Sequence, residues 1–188
     1  KEQVEINLNT ELDPRPIVGD NYADKSERFY GNNDVDGPDS MHGTHVSGII
    51  AAKSGNGIGM DGIAGNGYVK IMSVRTVPNG DERDKDVANA IRYAADNGAK
   101  ILNMSFGKAY SPDKQIVWDA FKYAEKKGLL LIKAAGNENV NIDDEIHFPT
   151  VYDNKGAEVS KNVITVGANT MDNNNLRASF SNFGKKSV

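Results

Sequence analysis

The sequence predicts an α/β fold with three layers, in which helices cover both faces of a mostly parallel sheet. Short apolar segments alternate along the chain with amphipathic ones, a pattern typical of strands joined by helical crossovers. The segment 129–135 is almost continuously apolar, which favours a strand that is covered on both faces. In sheets of this kind, ligands bind beyond the carboxyl ends of the strands.

The predicted elements follow one another along the chain. Residues 1–41 are polar and rich in turn-forming residues, and the small and apolar residues at 46–52 predict a short, closely packed helix. Asp84 or Asp86 is expected to cap a first amphipathic helix that ends before Gly98, and a second such helix stops at Gly128. The predicted strands are 68–74, 101–104, 129–135 and 162–168.

Composition argues against several classes of protein. The 188 residues suffice for one domain, and the net charge of −4 argues against a nucleic-acid partner. The absence of cysteine excludes disulfides and cysteine–zinc sites, and it fits an exported protein. No segment approaches the ~20 apolar residues of a membrane span, and the first residues resemble an internal cut rather than a signal peptide.

A histidine lies where the helix after residue 41 is expected to begin. The positive end of a helix dipole disfavours a charged imidazolium, so His42 is a candidate general base, although a structural role is an alternative. His42 and His45 could also form a metal pair. However, no Glu or Asp completes a zinc-peptidase pattern. His45 is expected to be a hydrogen-bonded core residue.

Two further segments fall at the carboxyl ends of predicted strands. Asn137 follows Ala135 and Gly136, and its amide could donate to a developing oxyanion or satisfy a turn. The segment 103–107 reads N-M-S-F-G, and its backbone could pair with an extended peptide or form an ordinary exit from a strand.

These three segments, in this order, resemble the subtilisin-like serine peptidases, or subtilases. The segments read H-G-T-H-V-S-G at 42–48, N-M-S-F-G at 103–107 and A-A-G-N-E at 134–138. The residues at 63–64, 69–75, 164–168 and 177–184 match as well, so the resemblance covers most of the chain from about His42 onwards.

The resemblance implies a role for each matching residue. His42 corresponds to the general base and Asn137 to the oxyanion donor. In the family, the substrate residues that precede the cleaved bond lie in a cleft between two segments of the enzyme. One segment corresponds here to Ser105, Phe106 and Gly107, and the other corresponds to Ala135 and Gly136. The implied substrate is a peptide or protein, the reaction requires no cofactor, and the implied location is extracellular or in the cell envelope.

Two smaller features also follow from the resemblance. The segment 56–60 resembles a calcium loop of the family, so a structural calcium ion is expected there, although its other ligands are unknown. The peptide bond between Phe148 and Pro149 corresponds to a position that is often cis in the family.

The chain departs from the family at two members of the catalytic triad. It contains no Gly-Thr-Ser for the nucleophile, and Ser105, Ser179 and Ser181 are poor substitutes. It also contains no Asp-Thr-Gly or Asp-Ser-Gly; the acidic residues before the histidine lie in loop-like sequence, at Asp20, Asp34, Asp36 and Asp39. Without a serine no acyl-enzyme forms, and without the aspartate the base loses its orienting partner. The chain alone is therefore expected to be inactive.

The simplest interpretation is a partial peptidase domain over 1–188. In it, 1–41 is an inserted or loop-rich region and 42–188 is the core. The alternative is a non-catalytic module that keeps the fold to bind peptides or other domains. Missing elements are expected to expose apolar surface and to favour self-association. The acidic segment 79–86 suggests tolerance of basic substrate residues, but a solvated loop is the simpler interpretation.

Overall fold

The computed structural model describes residues 13–37, 39–77 and 82–188. These residues form two compact units, one from Lys1–Gly31 with Thr76–Val188 and the other from Asn32–Arg75. The described part of the chain contains four helices: α1 (Arg15–Val18), α2 (Met41–Ala51), α3 (Asp84–Asp96) and α4 (Lys114–Lys126). Within these ranges, no helix has the length and apolar character needed to cross a membrane.

A parallel three-stranded sheet lies in the larger unit. Its strands are β1 (Ile101–Met104), β2 (Leu130–Ala134) and β3 (Val163–Val166), in that spatial order. Leu131 is paired with Leu102 on one side and with Val163 on the other, so these three side chains share one face of the sheet. The predicted α/β fold with a parallel sheet is confirmed, and three of the four predicted strands are correct to within two residues at their ends.

Helices α3 and α4 pack against each other and cover this face of the sheet. Phe121, Ala120 and Ala124 of α4 are completely buried, as are Leu129 and Leu131. Each large apolar side chain buried in this way stabilises the fold by about 1.5–3 kcal/mol relative to an exposed one. The periodic apolar residues of the sequence therefore form the core that holds the sheet.

The helix ends agree only in part with those predicted from the sequence. Gly98 and Gly128 adopt φ values of +82° and +75°, as expected for glycines that terminate helices. The prediction that Asp84 or Asp86 caps α3 is wrong, because Arg83 occupies the N-cap without a side-chain hydrogen bond. Both aspartates lie in the first turn instead, where a carboxylate still interacts favourably with the helix dipole.

A buried ionic cluster anchors the segment 13–31 to helix α3. The guanidinium of Arg15 donates hydrogen bonds of 2.8 and 2.9 Å to Asp86 and also bonds to Asp20. The ammonium of Lys85 contacts Asp20 as well, and it donates to Glu27 at 2.8 Å. The side chains of Asp20 and Lys85 are 0% and 1% exposed, so water does not screen their interaction.

The smaller unit is built around helix α2. The N–H groups of Ile63 and Ala64 donate to the carbonyls of Ile49 and Ile50, at 2.9 and 2.8 Å, which ties the turn after the helix to its last residues. A helix over 46–52 is confirmed, although it begins earlier, at Met41. The expected close packing is wrong, since no residue of α2 is buried.

The strand predicted at 68–74 is also wrong. These residues form no strand in the structure and belong to the smaller unit. A strand exists only where a neighbouring strand accepts its backbone hydrogen bonds, and the described residues of this unit include no strand. The apolar pattern of the segment 68–74 is therefore not sufficient to predict a strand.

The charge of Asp20 links the stability of the fold to pH. Burial alone would raise the pKa of Asp20, but the hydrogen bond from Lys85 and the charge of Arg15 hold this pKa below its ordinary value. A carboxyl group with a lowered folded-state pKa stabilises the protein above its unfolded pKa, and this contribution is lost as pH falls through the folded value.

We predict that Asp20→Asn lowers the free energy of unfolding at pH 7 by about 3–5 kcal/mol, because Lys85 loses the charge of a buried partner. The variant should also lose less stability than the wild type as pH falls below about 4. Urea unfolding over a series of pH values measures both effects. Asp36→Asn, at an exposed carboxylate, is the matched control. If the two variants were equally stable, the cluster would not anchor the segment.

Candidate functional site

The predicted substrate-binding residues follow two neighbouring strands. Ser105, Phe106 and Gly107 come directly after β1, and Ala135 and Gly136 come directly after β2. Because β1 and β2 are parallel, with Met104 opposite Lys133, both segments leave the sheet at the edge formed by the carboxyl ends of its strands. The structure thus places these five residues at one edge of the sheet, where 105–107 is called the first wall and 135–136 the second wall.

The first wall offers an open backbone. Among the described residues, none forms a hydrogen bond with the main chain of Ser105, Phe106 or Gly107. The next residue, Lys108, is already paired with Phe148 in both directions, at 3.1 and 2.8 Å. A short stretch of unpaired N–H and C=O groups can bind an extended peptide as an added strand.

Asn182 holds the loop that carries Asn137. Its Oδ1 accepts hydrogen bonds of 3.0 Å from the backbone N–H groups of Glu138 and Val140, and its Nδ2 donates to the carbonyl of Ala135 at 3.0 Å. Asn182 is 1% exposed, whereas Asn137 is exposed. Buried hydrogen bonds therefore hold the loop in place, while the amide of Asn137 lies at the surface.

Arg177 supports the same loop from its far end. Its Nη1 donates to Oδ1 of Asn139 at 2.8 Å and to the carbonyl of Ser181 at 2.6 Å. Asn139 has a φ of +59°, a left-handed conformation that asparagine tolerates better than most residues do. The contact with Arg177 helps to fix this turn in place.

Glu138 and His147 lie beside the second wall. The Oε2 atom of Glu138 accepts hydrogen bonds from the N–H of Asn137 at 2.9 Å and from Nδ2 of Asn182 at 2.6 Å, and it lies 3.7 Å from Nδ1 of His147. Burial lowers the pKa of His147; the carboxylate of Glu138 opposes this effect and the ammonium of Lys133 adds to it. The imidazole is therefore mostly neutral at pH 7.

His42 lies at the second position of α2, as expected for a histidine near a helix start. Just before the helix, the carboxylate of Asp39 accepts a hydrogen bond of 3.0 Å from the N–H of Met41, and Ser40 is the N-cap residue without a side-chain hydrogen bond. The side chain of His42 is exposed, and the residue belongs to the unit Asn32–Arg75, whereas Asn137 belongs to the larger unit.

The prediction that His45 is a core residue is wrong, because this histidine is exposed. Residues three apart share one side of a helix, and α2 buries none of its side chains. Within the described ranges, no three His, Asp or Glu side chains are grouped so that they could hold a metal ion.

Among the described residues of the smaller unit, the aspartates that precede His42 (Asp34, Asp36 and Asp39) form no hydrogen bond with it. Asp20 bonds to Arg15 and Lys85, and Asp34 pairs with Arg75 at 3.1 Å. Asp39 accepts a hydrogen bond from the N–H of Met41. The carboxylates of Asp20, Asp34 and Asp39 already have partners of their own.

The acidic segment 79–86 lies partly outside the described residues, which begin again at Glu82. From that point the interpretation as a solvated loop is wrong, since Glu82, Asp84 and Lys85 are 4%, 2% and 1% exposed. Asp84 pairs with Lys108 at 2.8 Å, and Lys85 pairs with Asp20. These charged side chains are therefore buried at the start of α3, where Asp84 and Lys85 form ion pairs.

The two smaller predictions have different outcomes. The peptide bond between Phe148 and Pro149 is cis, as predicted. In the loop 56–60, Oδ1 of Asn56 accepts a hydrogen bond from the N–H of Ile58 at 3.0 Å. One amide oxygen and the nearby carboxylate of Asp61 fall short of the six to eight oxygen ligands that Ca²⁺ takes, so the calcium site stays a prediction.

The chain belongs to the subtilase family, peptidase family S8, whose model matches residues 8–187. A thermophilic serine proteinase of Bacillus sp. (strain AK1) is 38% identical over 93% of this chain and 38% of its own length. Thermitase of Thermoactinomyces vulgaris is 33% identical over 89% of this chain and 56% of its own length. The chain thus spans well under two thirds of the length of these relatives.

Solved structures of proteases match the fold of this chain. The epidermin leader peptide processing serine protease EpiP of Staphylococcus aureus matches with a TM-score of 0.62 and 25% identity, over 78% of this chain and 38% of that one. A protein described as S41 psychrophilic protease matches with a TM-score of 0.58 and 30% identity, over 75% of this chain and 44% of that one. The fold and the family inferred from the sequence are confirmed.

Sequence reasoning missed three residues of the site: Asn182, Arg177 and His147. The first two lie in the stretch 177–184, which matched the family without suggesting a role for any side chain. His147 precedes the cis bond, and nothing in its local sequence indicates the neighbours that the fold gives it.

We predict that Asn182→Ala lowers the free energy of unfolding by about 3 kcal/mol, because it leaves two backbone N–H groups and a carbonyl without their buried partner. Hydrogen exchange at the amides of Glu138 and Val140 should become faster, which mass spectrometry can measure. Asn173→Ala, on an exposed loop, is the matched control. Unchanged exchange at Glu138 and Val140 would show that Asn182 does not hold the loop.

Proposed function

We propose that this chain is the central part of a serine endopeptidase, in which it supplies the general base, the oxyanion donor and the substrate cleft. The geometry that supports this most directly is the arrangement of the two cleft walls at the carboxyl ends of β1 and β2. One wall has an unpaired backbone, and the other leads directly to Asn137. An extended peptide bound between the walls would have its cleaved bond close to Asn137.

In the proposed reaction, His42 removes the proton from a serine hydroxyl as its oxygen attacks the peptide carbonyl carbon. The amide of Asn137 donates a hydrogen bond to the oxyanion that forms. The imidazolium of His42 then gives its proton to the departing amine as the C–N bond breaks. Water completes the cycle by attacking the acyl-enzyme, with His42 again accepting the proton.

The serine and the aspartate of this reaction come from residues outside 1–188 in our proposal. The chain contains neither Gly-Thr-Ser nor Asp followed by Thr-Gly or Ser-Gly. Supporting this assignment, the relatives that match are much longer than this chain and are named as proteases. The chain by itself should form no acyl-enzyme.

The same lack of two triad residues favours one other function. A subtilase-like module without catalysis could use the open wall at 105–107 to bind a peptide or a neighbouring domain. In this case the full-length gene product would bind peptides without cleaving them.

The location and the association state follow from the same proposal. Relatives include a cell wall-associated protease and a minor extracellular protease of Bacillus subtilis, which supports an extracellular or cell-envelope location. On the sheet face opposite α3 and α4, Ile101, Ile164 and Val166 are 63%, 49% and 48% exposed. This apolar face supports self-association of the isolated chain.

A fluorophosphonate probe, which labels activated serines, tests the proposal. We predict that the full-length gene product is labelled, that His42→Ala abolishes labelling, and that residues 1–188 alone are not labelled. Met41→Ala, at an exposed neighbouring side chain of the same helix, is the matched control and should label like the wild type.

The outcomes separate the two functions. A folded full-length protein that binds peptides but takes up no probe would favour the binding module. Labelling that persists in His42→Ala would show that another residue is the base.

A further inference from the structure

His147 occupies the space between the two walls of the cleft. A Cβ atom added to Gly107 on the first wall would overlap with Nε2 of His147. A Cβ atom added to Gly136 on the second wall would lie 2.9 Å from the same nitrogen. One edge of the imidazole therefore packs against the backbone of both walls, and only glycine leaves room for it there.

The imidazole is well covered and held in position. Its side chain is 11% exposed, and the next residue, Phe148, is 7% exposed and bonded through its backbone to Lys108, the residue that follows the first wall. A side chain fixed in this way does not move aside without loss of packing. The imidazole of His147 therefore closes the bottom of the cleft and limits its depth.

The charge beside the imidazole disfavours acidic substrates. The Glu138 carboxylate lies 3.7 Å from Nδ1 of His147 and is 55% exposed, so it would repel an acidic side chain bound next to the imidazole. A lysine or arginine side chain is attracted by this carboxylate, but its length does not fit above the imidazole.

From this geometry we infer that His147 is a specificity-determining residue, which restricts the residue before the cleaved bond to a short, uncharged side chain such as alanine or serine. This inference rests on the proposed function, because it assigns that position of the substrate to the space between the walls. Long side chains, aromatic or basic, are excluded by the imidazole, and acidic ones by Glu138.

The test compares peptides that differ only in the residue before the cleaved bond, with alanine, phenylalanine, glutamate or lysine there. The full-length protein should cleave the alanine peptide with the highest kcat/KM. In His147→Ala and His147→Gly, the ratio of kcat/KM for phenylalanine over alanine should rise by about 10–100-fold, because the space between the walls opens. Two variants are used so that a folding defect in one does not decide the result.

Ile146→Ala is the matched control. It lies next to His147 in the same loop, and its side chain is 61% exposed, so it should leave the preference unchanged. Binding of product peptides that end in alanine or phenylalanine, measured by calorimetry, gives a second readout that does not depend on catalysis.

The outcomes distinguish this inference from the proposed function. If nothing is cleaved but alanine-ended peptides bind more tightly and the His147 variants reverse this order, the specificity role stands and the peptidase activity fails. If peptides are cleaved but the ratio stays within threefold of the wild type in both variants, the inference is wrong. It is also overturned if the wild type prefers phenylalanine, or if it neither cleaves nor binds any of the peptides.

Discussion

The parallel pairing of β1 with β2 is the constraint on which the rest of the site depends. Because Met104 lies opposite Lys133, the residues that follow each strand emerge side by side at one edge of the sheet. A shift of one residue in this register would turn every side chain of one strand to the other face. The two cleft walls follow from this alignment, whereas Asn182 holds the loop of Asn137 and the pairing of Lys108 with Phe148 holds the loop of His147.

Buried polar side chains hold the loops that follow the paired strands. Asn182 satisfies the backbone of the Asn137 loop, and Glu138 connects that asparagine to His147. Hydrogen bonds of this kind contribute little net energy individually, but losing a buried partner is costly, so they select one loop conformation over others. The same principle applies to the ionic cluster around Asp20, which fixes segment 13–31 on α3 far along the chain.

The sequence predicts the helices and strands of the larger unit well because their apolar periodicity is local and their cores are buried. It fails at 68–74 and at His45, because strand formation and burial depend on neighbours that the local pattern does not show. Asn182 could not be found from the sequence, since its partners lie 42 to 47 residues away along the chain. The chemistry of His42 and Asn137 was suggested by a family resemblance, and the geometry of the walls came only from the fold.

A crystal structure of the full-length protein with a peptidyl phosphonate bound to its serine would show where the oxyanion lies, because the phosphonate mimics the tetrahedral oxyanion. We expect a phosphonyl oxygen within about 3 Å of Nδ2 of Asn137. We also expect the peptide to pair with the backbone of Ser105 and Gly107 as an added strand. A peptide bound away from the ends of β1 and β2, or an oxyanion without contact to Asn137, would contradict the proposed function.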